Sequence, residues 1–413
     1  MSVLTRVLGA AGVVGGVVGA AALGGVTAQR VAVKRYHAKP VLAGAGVDGS
    51  VDGYDTIHAD RRYSVVAADG AALQVEEVGP VDAPLTLVFV HGWALRMGSW
   101  YYQRRGLAGP DFGTAATPVA AEVGAETIAP TAAAAPSDAP GQPVRMVFFD
   151  QRSHGRSSRG PNPHPSVDLL GQDLAAVLAT AAPHGPIVLI GHSMGGMSVL
   201  ALAGADPHFF AARVAGIGLL STSATQTPSA EIGRIFLRGS NPVVKVVSTV
   251  ASRYSTLLER TRPVAKDAVW LLTRQIGFAR REVPTSLIDY LDEMLTDTPI
   301  EVIADFVPGV LAHDQTAALP ALVGIPSLVL CGDSDRITPP GQSRFIAAAL
   351  PDAELVLVEK SGHLAMMEAP EETNAALRRL LRRAQGRVER MTSMVESVLP
   401  PDASALTPAR SPA

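Results

Sequence analysis

The chain predicts an α/β fold: a mostly parallel sheet with helices on both faces and a helical segment inserted late in its order. Short apolar runs that suit strands buried on both faces recur at Leu85–Val90, Val144–Phe149, Ile187–Ile190 and Val214–Leu220. Stretches of helical spacing separate them, which argues for successive βα units. The alternation stops from about 223 to 319, where the text is helical. It resumes with strand-like runs at Pro326–Cys331 and Glu354–Val358.

Taken in order, the N-terminus is the first departure from an ordinary soluble domain. Val7 to Ala28 carry no charge and are nearly all Gly, Ala and Val. That is about 22 residues, long enough for a helix to cross a bilayer. Gly12/Gly16 and Gly15/Gly19 fall four apart, a spacing that lets membrane helices approach. Arg30, Lys34, Arg35 and Lys39 follow the segment and only Arg6 precedes it, which would keep the downstream part cytoplasmic. Residues 1–40 therefore read as a membrane anchor. A free Gly/Ala leader and a signal peptide cleaved near Val26-Thr27-Ala28 are the alternatives.

Residues 40–60 have linker composition. Tyr63–Ala67 and Ala72–Val78, joined at Asp69-Gly70, read as an edge hairpin. Leu85–Val90 runs into His91-Gly92-Trp93, then into a helix near Ser99–Leu107. Residues 113–142 are mostly Ala, Pro and Thr without periodicity, and read as a disordered surface insertion. Val144–Phe149 ends in Asp150-Gln151-Arg152-Ser153-His154-Gly155-Arg156-Ser157, followed by a helix over Leu169–Ala181.

In the segment 223–319, helical spacing covers Ile232–Leu237, Val243–Leu258, Val264–Phe278, Leu287–Leu295 and Ile300–Val310. A helical cap is expected there, set into a core of residues 60–222 and 320–386. Phe236, Trp270, Phe278, Met294 and Phe306 are candidates to line a pocket or to pack the cap itself. Thr373–Arg383 is the last expected helix, and 387–413 reads as a flexible tail.

Composition limits the function classes. A net charge of −3 shows no global preference for nucleic acid or anionic lipid. The single cysteine, Cys331, excludes an internal disulfide framework and a cysteine-built metal site, and its apolar run points to a buried inert thiol. No Cys/His/Asp cluster has metal-ligand spacing.

The chemistry concentrates at Gly191-His192-Ser193-Met194-Gly195-Gly196. A buried strand meets a helix there in one sharp turn with a serine at the bend, the geometry of a nucleophile elbow. A serine hydroxyl needs an adjacent base, and the base needs a partner to hold its tautomer. Strand-end loops supply both in the order acid, then histidine: Gly332-Asp333-Ser334-Asp335 and Gly362-His363. Asp335 is favoured over Asp333 because it lies further from the strand and can reach across to His363. The amide of Met194, at a helix start, and that of Trp93 are the expected oxyanion donors. His91, His154 and His192 read as loop-shaping groups.

Together, His91-Gly92-Trp93, Asp150–Ser157, Gly191–Gly196, Gly332–Pro340 and Gly362-His363 resemble the α/β-hydrolase superfamily over about residues 60–385. They resemble more narrowly its serine hydrolases of actinobacterial type. The resemblance implies an eight-stranded, mostly parallel sheet and an esterase- or lipase-like activity that needs no cofactor. Hydrolysis of a hydrophobic or lipid-derived ester by Ser193, His363 and Asp335 is the expected reaction. A cofactor-free perhydrolase (haloperoxidase-like) or a carbon–carbon bond hydrolase with the same triad is the alternative. A small-molecule or lipid ester is the expected partner, with no nucleic acid. Epoxide hydrolases and haloalkane dehalogenases are disfavoured, because they carry an aspartate where Ser193 stands.

Overall fold

The computed structural model describes residues 34, 54, 58–107, 127–128, 143–225, 274, 277–280 and 282–398. The expected anchor at 7–28 lies outside them, and so do the helices expected at 232–237 and 243–258. No helix among the described residues is long and apolar enough to cross a membrane.

One sheet organises the chain. Its strands are β1 (Arg61–Val66), β2 (Ala72–Val78), β3 (Leu85–Val90), β4 (Thr127–Ile128), β5 (Val144–Phe149), β6 (Ile187–His192), β7 (Val214–Leu220), β8 (Ser327–Gly332) and β9 (Ala353–Val358). They lie in the order β1-β2-β5-β3-β6-β7-β8-β9-β4. From β5 to β9 all neighbours are parallel; β1, β2 and the two-residue β4 are antiparallel additions. Eight strands of ordinary length match the expectation. The ninth comes from the 113–142 insertion, whose composition carried no strand signal: Thr127 and Ile128 borrow their pairing from the open edge of β9.

Burial follows the sequence pattern. Every residue of β3, β6, β7 and β8 is buried, as continuous apolar runs in a sheet covered on both faces require. Strand β1 alternates, as an edge strand with one solvated face does. On one face pack the helices α1 (Tyr101–Gly106) and α9 (Pro370–Val398), with Trp100, Leu377, Leu380 and Leu381 against Leu87, Phe89 and Leu328. The other face is covered by α2 (Val167–Ala181), α3 (Met194–Ala205), α4 (Pro207–Arg213) and α7 (Pro340–Ala349).

Between β7 and β8 the described helices are α5 (Thr285–Asp297) and α6 (Ile300–Ala312), and no described residue of 223–319 is in a strand. Helix α5 packs Leu287, Ile288, Tyr290, Leu291 and Met294 onto the core that contains Met97, Trp100 and Leu364. Helix α6 sets Val302 and Phe306 against Leu170 and Met194.

Three expectations need correction. Tyr54, within the expected linker, is fully buried and stacks on Tyr290 with ring centroids 4.7 Å apart. An aromatic anchor overrides the surrounding Gly/Asp composition. The last helix does not end near Arg383 but runs on to Val398, because nothing from Gln385 to Val398 except Gly386 opposes a helix. Helices α4 and α7 were not expected; each begins with proline at its first position, where the missing N–H has no intrahelical partner to lose.

The strand order also locates a crevice. Among the parallel strands, β5 lies on one side of β3 and the next in the chain, β6, on the other. At such a reversal the loops after neighbouring strands diverge, and ligands bind beyond the strand C-termini. Trp93 follows β3 there, and Ser193 follows β6.

Candidate active site

Strand β6 ends at His192 and α3 begins at Met194, so Ser193 alone makes the turn. Its backbone sits at φ 52°, ψ −119°, a left-handed region that side chains other than glycine rarely occupy. The surrounding bonds hold it there. Its N–H donates to the Leu220 carbonyl (2.9 Å), and its carbonyl accepts from the Thr222 hydroxyl (2.7 Å). Strand and helix cross so closely that a Cβ at Gly195 would lie 2.1 Å from the Val90 carbonyl oxygen. One at Gly191 would lie 2.6 Å from Gly196. The glycine spacing of the motif is thus a steric requirement.

The histidine and its acid come from the loops after β9 and β8. The Nδ1 of His363 lies 2.9 Å from Oδ2 of Asp335. A carboxylate can only accept, so Nδ1 carries the proton and Nε2 is left with its lone pair. Oδ2 also accepts from the Thr338 hydroxyl (2.9 Å), while Oδ1 accepts the N–H groups of Ile337 (2.8 Å) and Thr338 (3.0 Å). Burial opposes ionisation of Asp335, but the neighbouring His363 and these bonds outweigh it and hold the carboxyl below its usual range. Asp333 has no such setting: it is exposed, and its carboxylate takes only the adjacent Ser334 hydroxyl (2.8 Å) rather than loop backbone.

His363 lies against the elbow. The His192 ring packs on the His363 ring with centroids 4.9 Å apart, and its Nε2–H donates to the His363 carbonyl (3.0 Å). Burial, then the neighbouring His363, lowers the His192 pKa to about 3, so His192 stays a neutral donor. The expected loop-shaping role is therefore specific: His192, next to Ser193 in the chain, holds the backbone and packs on the ring of His363.

The loop after β3 is built in the same way. The Nε2 of His91 accepts the Gln151 N–H (2.9 Å), so its Nδ1–H donates to the Gly92 carbonyl (2.8 Å). Burial lowers the His91 pKa to about 4, which keeps that tautomer neutral. The Gln151 side chain in turn accepts from Ser198 of α3. Asp150 ties the loop down by accepting the Met97 and Arg156 amides. Gly92 backs directly onto the elbow, since a Cβ there would stand 3.2 Å from that of Ser193. Trp93 packs into the cluster of Leu170, Met194, Val302 and Phe306. The two expected oxyanion residues, Trp93 and Met194, thus share one apolar wall. Met194 is the first residue of its helix, so its N–H has no partner within that helix.

Asp335 and His363 are hydrogen-bonded, and Trp93, Ser193 and Met194 lie just after β3 and β6 at the same C-terminal edge of the sheet. Sequence reading missed the groups that hold them. Thr338 and Gln151 sit within quoted motifs but carry no individual signal. Glu368 lies beyond the last motif. Cys331, expected to be buried and inert, is fully buried with its sulfur 3.1 Å from the Gly332 carbonyl and 3.7 Å from Asp335 Oδ2, and burial pushes its pKa well up.

Comparisons with known proteins agree with this architecture. The chain is 25% identical over 245 residues to the proline iminopeptidase PfmaB of Pestalotiopsis fici, covering 55% of this chain and 78% of that one. It is 23% identical over 228 residues to the sn-1-specific diacylglycerol lipase ABHD11 of Mus musculus, covering 55% and 68%. Among solved structures, a thermophilic esterase from Thermogutta terrifontis superposes with TM-score 0.57 at 24% identity, over 78% of this chain and 99% of the esterase. A bromoperoxidase from Bacillus anthracis gives TM-score 0.57 at 19% identity, over 78% and 100%. The signature described as "Alpha/beta hydrolase family" matches residues 87–376, from within β3 to within α9. The chain belongs to the alpha/beta hydrolase family.

Proposed function

We propose that this chain is a serine hydrolase that cleaves a carboxylic ester carrying a hydrophobic group. The observation that carries the proposal is the Asp335–His363 pair, 2.9 Å apart, set beside a serine held at positive φ on the elbow. Ser193 Oγ attacks the ester carbonyl carbon while Nε2 of His363 takes its proton. Asp335 keeps Nδ1 protonated and stabilises the imidazolium. The N–H groups of Trp93 and Met194 receive the developing oxyanion. Collapse of the intermediate breaks the ester C–O bond, and His363 returns the proton to the departing alcohol. Water then attacks the acyl-enzyme by the same route and frees Ser193.

The wall of Leu170, Met194, Val302 and Phe306 suits an apolar group of the substrate. Residues 223–319 would then act as the cap that supplies half of this wall. The esterases and the diacylglycerol lipase among the similar proteins support ester chemistry, and the bromoperoxidase fits the perhydrolase alternative. An anchor at residues 1–28 would fit a lipid-derived substrate, with the catalytic part on the cytoplasmic side. Fractionation of the full chain against one lacking residues 1–40 tests that part: equal distribution of the two overturns it.

The proposal is tested with p-nitrophenyl esters of graded acyl length beside a peroxide-dependent halogenation assay. Ester turnover that Ser193→Ala abolishes is expected. Halogenation without ester turnover would favour the perhydrolase reading instead.

A further inference from the structure

We propose that Glu368 is a positioning residue for His363, tying the loop that carries the imidazole to the segment inserted between β7 and β8. This inference rests on the serine-hydrolase reading above. Glu368 lies in α8 (Ala365–Glu368), is 8% exposed, and spends both carboxylate oxygens on that junction. Its Oε2 accepts the Ser361 hydroxyl (3.1 Å) and the Gly362 N–H (2.5 Å). Its Oε1 accepts the N–H groups of Ala279 (2.7 Å) and Arg280, both in the inserted segment. Three backbone N–H groups and the Ser361 hydroxyl meet the two oxygens, an arrangement that suits an ionised carboxylate. Burial raises its pKa and the bonds from Gly362, Arg280 and Ala279 oppose the rise.

The result is that His363 is gripped at three consecutive residues. Gly362, before it, is bound by Glu368. Its own carbonyl accepts from His192 (3.0 Å), and the N–H of Leu364, after it, donates to the Gly277 carbonyl (3.3 Å). Gly277–Arg280 is itself held, because the Arg274 guanidinium donates to the carbonyls of Phe278 and Arg280. The strap also runs close under the loop: a Cβ at Gly362 would meet the Gly277 carbonyl oxygen at 2.7 Å. Glu368 bonds to both, so its carboxylate couples the placement of the imidazole to the seating of the inserted segment.

The test compares wild type, Glu368→Gln, Ser361→Ala and, as an exposed control on α9, Glu371→Gln. Two quantities are measured well below each variant's melting temperature: kcat and KM on p-nitrophenyl acetate, and the rate of Ser193 labelling by a fluorophosphonate. Glutamine is isosteric but turns an NH2 toward two of the four donors. We expect kcat and the labelling rate to fall together, roughly 10- to 100-fold for Glu368→Gln, with KM within about threefold. Ser361→Ala removes one donor and keeps the variant comparison available if Glu368→Gln fails to fold; a several-fold loss of kcat with unchanged KM is expected. Glu371→Gln should match wild type. Wild-type kcat and labelling rate in either of the first two variants overturns the proposal. Absence of labelling in wild type itself would overturn the serine-hydrolase reading instead.

Discussion

Exchanging the acid for its amide separates Asp335 from Asp333 and can be reasoned through atom by atom. In Asp335→Asn, the amide oxygen is drawn to the Oδ1 position, because two backbone N–H groups already converge there from Ile337 and Thr338. The NH2 then takes the place of Oδ2 and faces Nδ1 of His363, 2.9 Å away. Two donors cannot share that contact, so the imidazole must present its lone pair at Nδ1 and carry its proton on Nε2. In that tautomer it cannot accept a proton from Ser193. The expected loss is about 10³–10⁴-fold in kcat, equivalent to roughly 4–5 kcal/mol in the barrier. Asp333→Asn changes a group bonded only to Ser334 and should stay within about twofold of wild type. Steady-state hydrolysis of p-nitrophenyl acetate at neutral pH reads both variants. Equal losses in the two, or a larger loss in Asp333→Asn, would refute the assignment of the acid.

Other consequences follow from the same packing. Ser193→Gly should be more stable to urea than Ser193→Ala by about 1 kcal/mol, because glycine alone is unstrained at φ 52°; equal midpoints would mean the turn stores no strain. Gly195→Ala places a Cβ 2.1 Å from the Val90 carbonyl, so an insoluble protein or a loss of at least 3 kcal/mol is expected, and a wild-type melting temperature would contradict the close crossing. Burial lowers the pKa of His91 to about 4 and, as the larger cause, those of His154 and His192 to about 3. The unfolded chain binds protons at these rings below about pH 6.5 while the folded chain does not, so stability is lost as pH falls. Each ring accounts for about 1.6 kcal/mol between pH 6.5 and 5. Denaturation midpoints that stay flat over that range would contradict the buried, neutral assignment. Arg152 lies between Asp173 and Asp69, so Arg152→Met, which leaves Asp173 buried and unpaired, should destabilise by about 3–5 kcal/mol; a loss under 1 kcal/mol would count against this pairing.

Much of the site is legible in the sequence because its demands are local. The elbow needs glycines at fixed offsets from the serine, since strand and helix approach too closely for any side chain there. Runs such as Leu85–Val90 and Val214–Leu220 name themselves as central strands by lacking polar alternation, and their bounds match the structure. The order of serine, acid and histidine follows from which strand ends face one crevice. What escapes the sequence is contact across distance. Nothing near Glu368 announces that its carboxylate will bind amides 88 and 89 residues earlier in the chain. His192 looks like part of a motif, yet its work is a bond to the carbonyl of His363, 171 residues away. Tyr54 sits in linker-like text and is buried only because Tyr101 and Tyr290 are there to receive it. The pairing of Thr127–Ile128 depends on an edge strand more than 200 residues later in the chain.

The convergence of Ser193, His363 and Asp335 into one reactive unit is tested most directly by incubating the folded full chain with a fluorophosphonate and mapping the adduct by peptide mass spectrometry. A single adduct on Ser193, lost in His363→Ala, is the predicted result. An unmodified Ser193 in the folded protein, or an adduct on another residue, would contradict it.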